Sequence, residues 1–458
     1  MWWLVLFNRE EELETIDRVL NSEKAELIIV YGRRRVGKTT LVESAAKNFG
    51  RKLYLFTVRG SLEDILENFA EDIREQLNIP VSFSRWQDFI EFLRIISSEP
   101  VVVIIDEFQR LNEASPATIS RLQDAWDRFL SGSKIKLILV GSVIGMVERL
   151  ALSGNAPLYG RKTCELKLRP LPYMRIREYF DGVSEEERIR LYGCFGGTPA
   201  YFTSVDPSKS LRDNIVELVL KKGAKFAREP EELLAQEVRS PSTYMSILSL
   251  LARRGNGRGL TLSKIHVRRG SPTEYLQRLE KMDLIERIEL LDVNKYLYRV
   301  FDEFFRFWFT FIYPRLSLIE RGIGEKLIDF IIDNLDRYLS VTFEKILEEI
   351  ILLKGESTVK DMQLPLVYRV GLIVKGGDVD VVGIGDNEFI VGEAKWWDKP
   401  IPRGEVEKFI ARKYEIAKKF GVKVKGIMIA KRGFTDPARK FENEDLILLS
   451  IKDFDNLL

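Results

Sequence analysis

The chain has 458 residues, 45% of them hydrophobic and 31% charged, and its 71 Lys and Arg nearly cancel 69 Asp and Glu to leave a formal net charge of +2. That length exceeds what one hydrophobic core usually serves, so two to four domains are expected, and the composition excludes disordered and fibrous classes. The balanced charge makes any nucleic-acid surface local rather than global.

A single His, two Cys and dense Lys, Arg and Glu match the composition of heat-adapted proteins. With so little His, Cys164 and Cys194 cannot build a zinc site, and nothing in their spacing supports a disulfide, which points to a reducing cytoplasm. The apolar opening 1–7 stops at Asn8-Arg9-Glu10, too short for a membrane span or a signal-peptide core. It reads as a buried strand or staple, and no membrane partner is expected.

Along the chain, 26–30, 52–57, 101–105 and 136–140 are apolar runs separated by helical stretches, the pattern of a parallel sheet covered on both faces. Residues 167–240 turn helical. From 242 onward the runs 243–251, 262–266 and 271–281 read as three helices, followed by the strand-like 295–300, the order of a winged helix-turn-helix. The aromatic stretch 301–313 ends at Pro314, and a further α/β module starts near Gly322. The fold class is therefore α/β: a parallel-sheet core over 1–165, whose loop 32–40 has the Gly-Lys-Thr spacing of a P-loop ATPase, a helical lid over 166–240, a winged-helix module over 241–314 and a C-terminal α/β domain over 322–458.

Gly32-Arg33-Arg34-Arg35-Val36-Gly37-Lys38-Thr39, followed by Thr40, satisfies G-x-x-x-x-G-K-[ST] between a strand and a helix expected over 41–48. In such a loop the backbone N–H groups wrap the phosphates of ATP, Lys38 reaches the β and γ oxygens, and the Thr39 hydroxyl ligates Mg2+. The run 101–105 delivers Asp106 and Glu107 at a strand's C-terminal end, where Asp106 would hold the metal and Glu107 would orient the attacking water. Ser142 ends the next strand, as a γ-phosphate sensor or a simple helix cap. Arg161 is a candidate for neutralising transition-state charge, in cis or in a neighbouring subunit of a homo-oligomer, and equally for a structural salt bridge.

Together, Phe7-Asn8-Arg9-Glu10, the Arg-rich P-loop, Ile105-Asp106-Glu107-Phe108, Val140-Gly141-Ser142, Tyr159-Gly160-Arg161 and Phe195-Gly196-Gly197-Thr198-Pro199-Ala200-Tyr201 resemble the archaeal ATPase family within the AAA and signal-transduction ATPases. The likeness covers residues 5 to about 310. It implies that Pro199, in the lid, approaches the nucleotide; a helix-breaking turn is the plainer alternative.

In the middle module Arg253, Arg254, Arg258, Lys264, Arg268, Arg269, Arg278 and Lys281 concentrate positive charge that would track a DNA backbone, with the third helix offered to a groove. Docking of protein is the competing use of such a module.

Further on, 376–384 and 389–396 read as the two strands of a hairpin carrying Asp380, Glu393 and Lys395, the last two on one face by the period of two. Upstream, Glu344 borders the stripe Phe343, Ile346, Leu347 and Ile350 of a helix. Carboxylates so placed would hold Mg2+ or Mn2+, and Lys395 would steady developing charge. This set resembles the PD-(D/E)xK nuclease superfamily, restriction-endonuclease-like and junction-resolvase-like, over roughly 335–455, and the pairing with the ATPase is similar to archaeal DUF234-type proteins. Trp396 and Trp397 read as packing, with stacking of one of them on a base or ribose as the alternative, and the basic run Lys395, Lys399, Arg403, Lys408, Arg412, Lys413, Lys418 and Lys419 reads as a helix that braces the site and meets phosphate. The expectation is a cytoplasmic ATPase whose nucleotide state controls DNA binding and metal-dependent cleavage. Its rival is a nucleotide-switched signalling or transcription-regulating protein with a non-catalytic nuclease-like domain.

Overall fold

A computed structural model of the chain describes residues 8–268, 270–353, 358–359, 362–374 and 379–457. The N-terminal run 1–7, Arg269 and 376–378 lie outside the described residues. The chain divides into two compact units, Met1–Arg169 and Pro170–Leu458.

The first unit is built on five strands, β1 (Glu26–Tyr31), β2 (Lys52–Phe56), β3 (Val101–Asp106), β4 (Ile135–Gly141) and β5 (Cys164–Lys167). They pair in parallel in the order β2-β3-β4-β1-β5. Strands β3 and β4 are buried along their whole length, which is why their sequences are unbroken apolar runs. Strand β5 was not expected, because it is a short, half-exposed edge with two charged residues and carries no such run. The helix after the P-loop spans Lys38–Ala45, starting three residues before the expected 41 because Gly37, at φ 92°, turns the loop directly into it.

In the second unit the expected helical region contains Glu185–Phe195, Pro199–Phe202, Leu211–Ile215 and Glu229–Glu237. Then come the helix Pro241–Arg253, a two-residue strand β6 (Leu260–Thr261), the helix Pro272–Lys281 with Pro272 in its first turn, and a hairpin of β7 (Ile285–Leu290) and β8 (Lys295–Val300). The helix expected over 262–266 is only a 3-10 turn, Leu262–Lys264. Strand β6 occupies the preceding residues, and β-branched Ile265 and Val267 disfavour a longer helix.

Beyond a small pair, β9 (Thr358–Val359) and β10 (Met362–Gln363), lie β11 (Arg369–Leu372), β12 (Val381–Ile384), β13 (Glu388–Lys395), β14 (Lys423–Ala430) and β15 (Leu446–Ser450). One eight-stranded sheet runs β15-β14-β13-β12-β11-β7-β8-β6. Its joint is the parallel pairing of β7 with β11, Gly371 opposite Glu289 and Leu372 opposite Leu290. The hairpin of the middle segment and the C-terminal strands are thus parts of a single sheet, which crosses the break read at Pro314.

Across this sheet lies the 26-residue helix Ile328–Leu353. Its stripe Phe343, Ile346, Leu347 and Ile350 is buried as expected. Close approach depends on Gly392, where a Cβ would fall 2.6 Å from Val381 and 2.8 Å from Leu347. The same helix carries charged residues into the interior. Lys345 donates to Glu303 (2.7 Å), which also accepts from Arg306 (2.6 Å). Burial alone would raise the Glu303 carboxyl; the charges of Arg306 and Lys345 outweigh it and hold its pKa at about 2.

Glu349 is the contrary case. It accepts from the Met174 backbone N–H and the Tyr192 hydroxyl, each at 3.3 Å, and burial pushes its pKa up to about 8. A carboxyl raised in the folded state gives stability that is complete below its unfolded pKa and lost as pH rises through the folded value. Stability is therefore expected to fall between pH values of roughly 4.5 and 8 by an amount that Glu349→Gln removes, a difference of about 2 °C or more in melting temperature between the two proteins' profiles, read by calorimetry.

Candidate functional site

The nucleotide centre belongs to the first unit. The P-loop Gly32 to Thr40 joins β1 to the helix Lys38–Ala45, whose N-terminus directs backbone N–H groups into the loop. Lys38 is nearly buried and donates from Nζ to the Arg33 carbonyl (3.0 Å), while Arg35 takes a left-handed φ of 71° that shapes the bend. Strand β4 intervenes between β1 and β3, so Ser142 at its end stands between the P-loop and the acidic pair.

The expected acidic residues converge here. Asp106 accepts at Oδ2 from the Thr39 hydroxyl (2.6 Å), joining the two residues read as metal ligands. It accepts at the same oxygen from Tyr54 on β2 (2.9 Å), and at Oδ1 from the backbone N–H of Glu107 (2.7 Å). Glu107 sits at φ 56°, a left-handed conformation uncommon outside glycine, and such strain gathers at working sites. Its carboxylate accepts from the Ser142 hydroxyl at 2.8 and 2.7 Å and from the Gln109 amide, with Arg110 3.8 Å away. Burial, then the nearby Asp106, push the Tyr54 hydroxyl's pKa well up, so it stays a protonated donor.

Arg161 forks onto Asp127, with two hydrogen bonds of 2.7 Å, in the manner of the structural salt bridge. Pro199 is buried in the second unit, at the start of its short helix.

A second constellation forms within the second unit. Glu344 comes from the helix Ile328–Leu353, Asp380 from the residue preceding β12, and Glu393 and Lys395 from β13. Asp380 is anchored to β13 by its own N–H to the Gly392 carbonyl (3.0 Å) and by the Ala394 N–H donating to Oδ2 (2.8 Å). Burial first, then the charge of Glu344, raise its pKa to about 7, against the lowering effect of the Ala394 N–H and of Lys395.

Each of the other carboxylates meets a cation. Glu393 pairs with Lys395, as the strand period requires, and with Arg412 at 2.8 Å. Glu344 accepts from Arg258, whose Nε lies 3.0 and 3.1 Å from its two oxygens. Arg258 and Arg412 were read from sequence as parts of basic surfaces; the structure brings both into this acidic site. Among the described residues no group of three His, Cys, Asp or Glu is placed to enclose an ion. Carboxylate oxygens are nonetheless the donor type that suits a hard divalent cation.

Trp396 is packing, ringed by Phe343 (5.2 Å) and Lys431 (4.8 Å). The basic helix is Arg403–Phe420, and several of its cations are already paired: Arg403 with Glu407, Lys408 with Glu405, and Lys419 with Asp292. Both cysteines are free thiols, and no described helix is long and apolar enough to cross a membrane.

Residues 6–205 match a family described as an ATPase domain predominantly from Archaea, and residues 308–410 match the DUF234 family, Archaea bacterial proteins of unknown function. An uncharacterized protein of Methanocaldococcus jannaschii, MJECL04, is 30% identical over 456 residues, covering 98% of this chain and 99% of that protein. An uncharacterized ATP-binding protein of the same organism, MJ0423, is 55% identical over 49 residues, which are 10% of this chain and 83% of that protein. Among solved structures, the Walker-type ATPase PABY2304 of Pyrococcus abyssi is 19% identical, covers 66% of this chain and 95% of its own, and gives a TM-score of 0.47. The Aeropyrum pernix Orc1 protein in complex with DNA is 12% identical, with 71% and 98% covered and a TM-score of 0.35.

Glu107→Gln is expected to leave ATP binding in place and to cut hydrolysis about a hundredfold or more, seen as phosphate release set against a nucleotide-binding isotherm. Tyr54→Phe is expected to raise the magnesium concentration needed for half-maximal hydrolysis; an unchanged magnesium profile would reduce Tyr54 to a packing residue.

Proposed function

Because the chain belongs to the archaeal ATPase family and carries a DUF234-type C-terminal region, we propose that it is an ATP-driven switch whose nucleotide state controls metal-dependent DNA cleavage at Glu344, Asp380, Glu393 and Lys395. At the nucleotide centre Lys38 holds the β and γ phosphates, and Thr39 and Asp106 hold Mg2+. Glu107 orients the attacking water, and Ser142, bonded to it, relays the presence of the γ-phosphate. Arg161 becomes a charge-neutralising residue only by leaving Asp127.

The observation that carries the nuclease reading is Asp380, whose carboxyl feels the charges of Glu344, Glu393 and Lys395 from separate elements, with Glu344 and Glu393 nearly buried. Burying charge is costly and is seldom kept without a ligand or a partner. A bound Mg2+ or Mn2+ ion would supply charge to polarise the scissile phosphate and hydroxide at neutral pH. Lys395 steadies the charge that develops on the phosphate, and Glu344, Asp380 and Glu393 hold the metal. The helix Pro272–Lys281, the β7–β8 hairpin and β6 are the elements from which we read a winged-helix module. Its exposed Arg253, Arg254, Lys264, Arg268, Arg278 and Lys281 suit a phosphate backbone.

A second reading rests on the cations that already satisfy Glu344 and Glu393. There the C-terminal region binds DNA or a protein partner without cutting it, and ATP hydrolysis switches that binding.

Linear, branched and single-stranded DNA incubated with Mg2+ or Mn2+, with and without ATP, separates the two. Cleavage that Glu393→Ala abolishes and Lys38→Ala alters is the expected result. Persistent ATP hydrolysis without cleavage of any of these substrates would remove the nuclease reading in favour of the second.

A further inference from the structure

Arg258 lies in the loop between the helix Pro241–Arg253 and β6, within Arg254-Gly255-Asn256-Gly257-Arg258-Gly259. Its neighbours Gly257 and Gly259 have φ of 82° and 111°, conformations that L side chains rarely adopt. A Cβ on Gly259 would also fall 2.9 Å from the Tyr298 carbonyl oxygen of β8. The knuckle at 257–259 is thus glycine-dependent, and it turns the intervening arginine onto the carboxylates.

The guanidinium does more than pair with one acid. Besides its bonds to both Glu344 oxygens, Nη2 lies 4.0 Å from Asp380 Oδ1, so a single cation borders two of the three acidic side chains. The Arg258 side chain is 57% exposed, against 7% for Glu344 and 19% for Asp380. Water therefore reaches the cation while the carboxylates lie behind it. A guanidinium does not surrender its proton, so these oxygens become available only when the side chain moves.

We propose that Arg258 is an internal stand-in for a divalent cation: it neutralises Glu344 and Asp380 in the resting protein and gates the site, which loads metal only as the 257–259 knuckle carries the guanidinium away. This rests on the reading of the carboxylates as a metal site. The loop joins a helix to an edge strand of the sheet, and it links metal loading to the middle segment that carries the exposed basic residues.

The test is direct metal binding by the full chain without nucleotide, with Mn2+ titrated and the free ion followed by electron paramagnetic resonance. Asp380→Asn defines uptake elsewhere on the protein. Above that background, Arg258→Ala is expected to half-saturate at a Mn2+ concentration about tenfold or more below that of the wild type, with Arg258→Lys in between. Thermal melting in chelator establishes that each variant is folded, and Arg258→Lys carries the comparison if the alanine variant is not. Equal half-saturation in wild type and variants would overturn the gate and leave the metal site standing. Uptake no greater than the Asp380→Asn background in every variant would overturn both, and make Arg258 a permanent structural counter-ion.

Discussion

The second unit depends on how closely the helix Ile328–Leu353 can lie against β12 and β13. Bare backbone at Gly392 admits Leu347, and the apolar stripe this buries draws the neighbouring charged residues below the surface with it. A buried charge left single costs several kcal/mol, roughly, even after relaxation. Glu344 therefore meets Arg258, Lys345 meets Glu303 at 2.7 Å, and Glu348 meets Arg299 at 2.9 Å. All three partners come from the segment between the lid helices and the long helix. An apolar packing contact thus becomes an electrostatic stitch, and the β7–β11 joint runs beside it in the sheet.

Motifs and apolar runs made much of this legible in advance. The central strands of the first unit show as unbroken β-branched runs, and the P-loop spacing with Asp106, Glu107 and Ser142 identifies residues that the structure does bring together. Tyr54 was missed because Lys-Leu-Tyr-Leu-Phe reads as ordinary strand packing. Its hydroxyl acquires a role only through the lateral neighbourhood of β2 and β3, where Tyr54 lies opposite Ile104 and Phe56 opposite Asp106. The joint between β7 and β11 was equally silent, since two paired residues from distant segments leave no periodic trace. Arg258 was visible as charge but not as a member of the acidic site, because period and spacing describe one element at a time.

The two acidic centres hold their carboxylates by different means. Around Asp106 and Glu107 most donors are hydroxyls, an amide and a backbone N–H, which keep the oxygens oriented without cancelling their charge. Around Glu344 and Glu393 the donors are Arg258, Arg412 and Lys395, which cancel it. Hydroxyl, amide and backbone donors leave the net negative charge of Asp106 and Glu107 in place, so a cation arriving at the nucleotide centre displaces no hydrogen-bonded counter-ion from them. The C-terminal centre has to part a salt bridge first. The first arrangement suits a site that turns over repeatedly, and the second a site held closed until something opens it.

Which salt bridge opens is decided by burial. Arg299 is 4% exposed and bonds to both Glu286 and Glu348, so parting it would strand the guanidinium and the Glu348 carboxylate in the interior. Arg258 bonds to a carboxylate nearly as deep, yet its own side chain is largely in water and its backbone is a glycine-flanked loop rather than a strand. Moving it out exchanges protein partners for solvent on the arginine side, and leaves Glu344 and Asp380 to be re-matched. In the proposed gate a small divalent cation would perform that re-matching where a solvent molecule cannot, because only an ion restores the charge balance. The same packing that forces Glu344 inward therefore makes Arg299 a fixture and Arg258 an exchangeable cation, although both serve one helix.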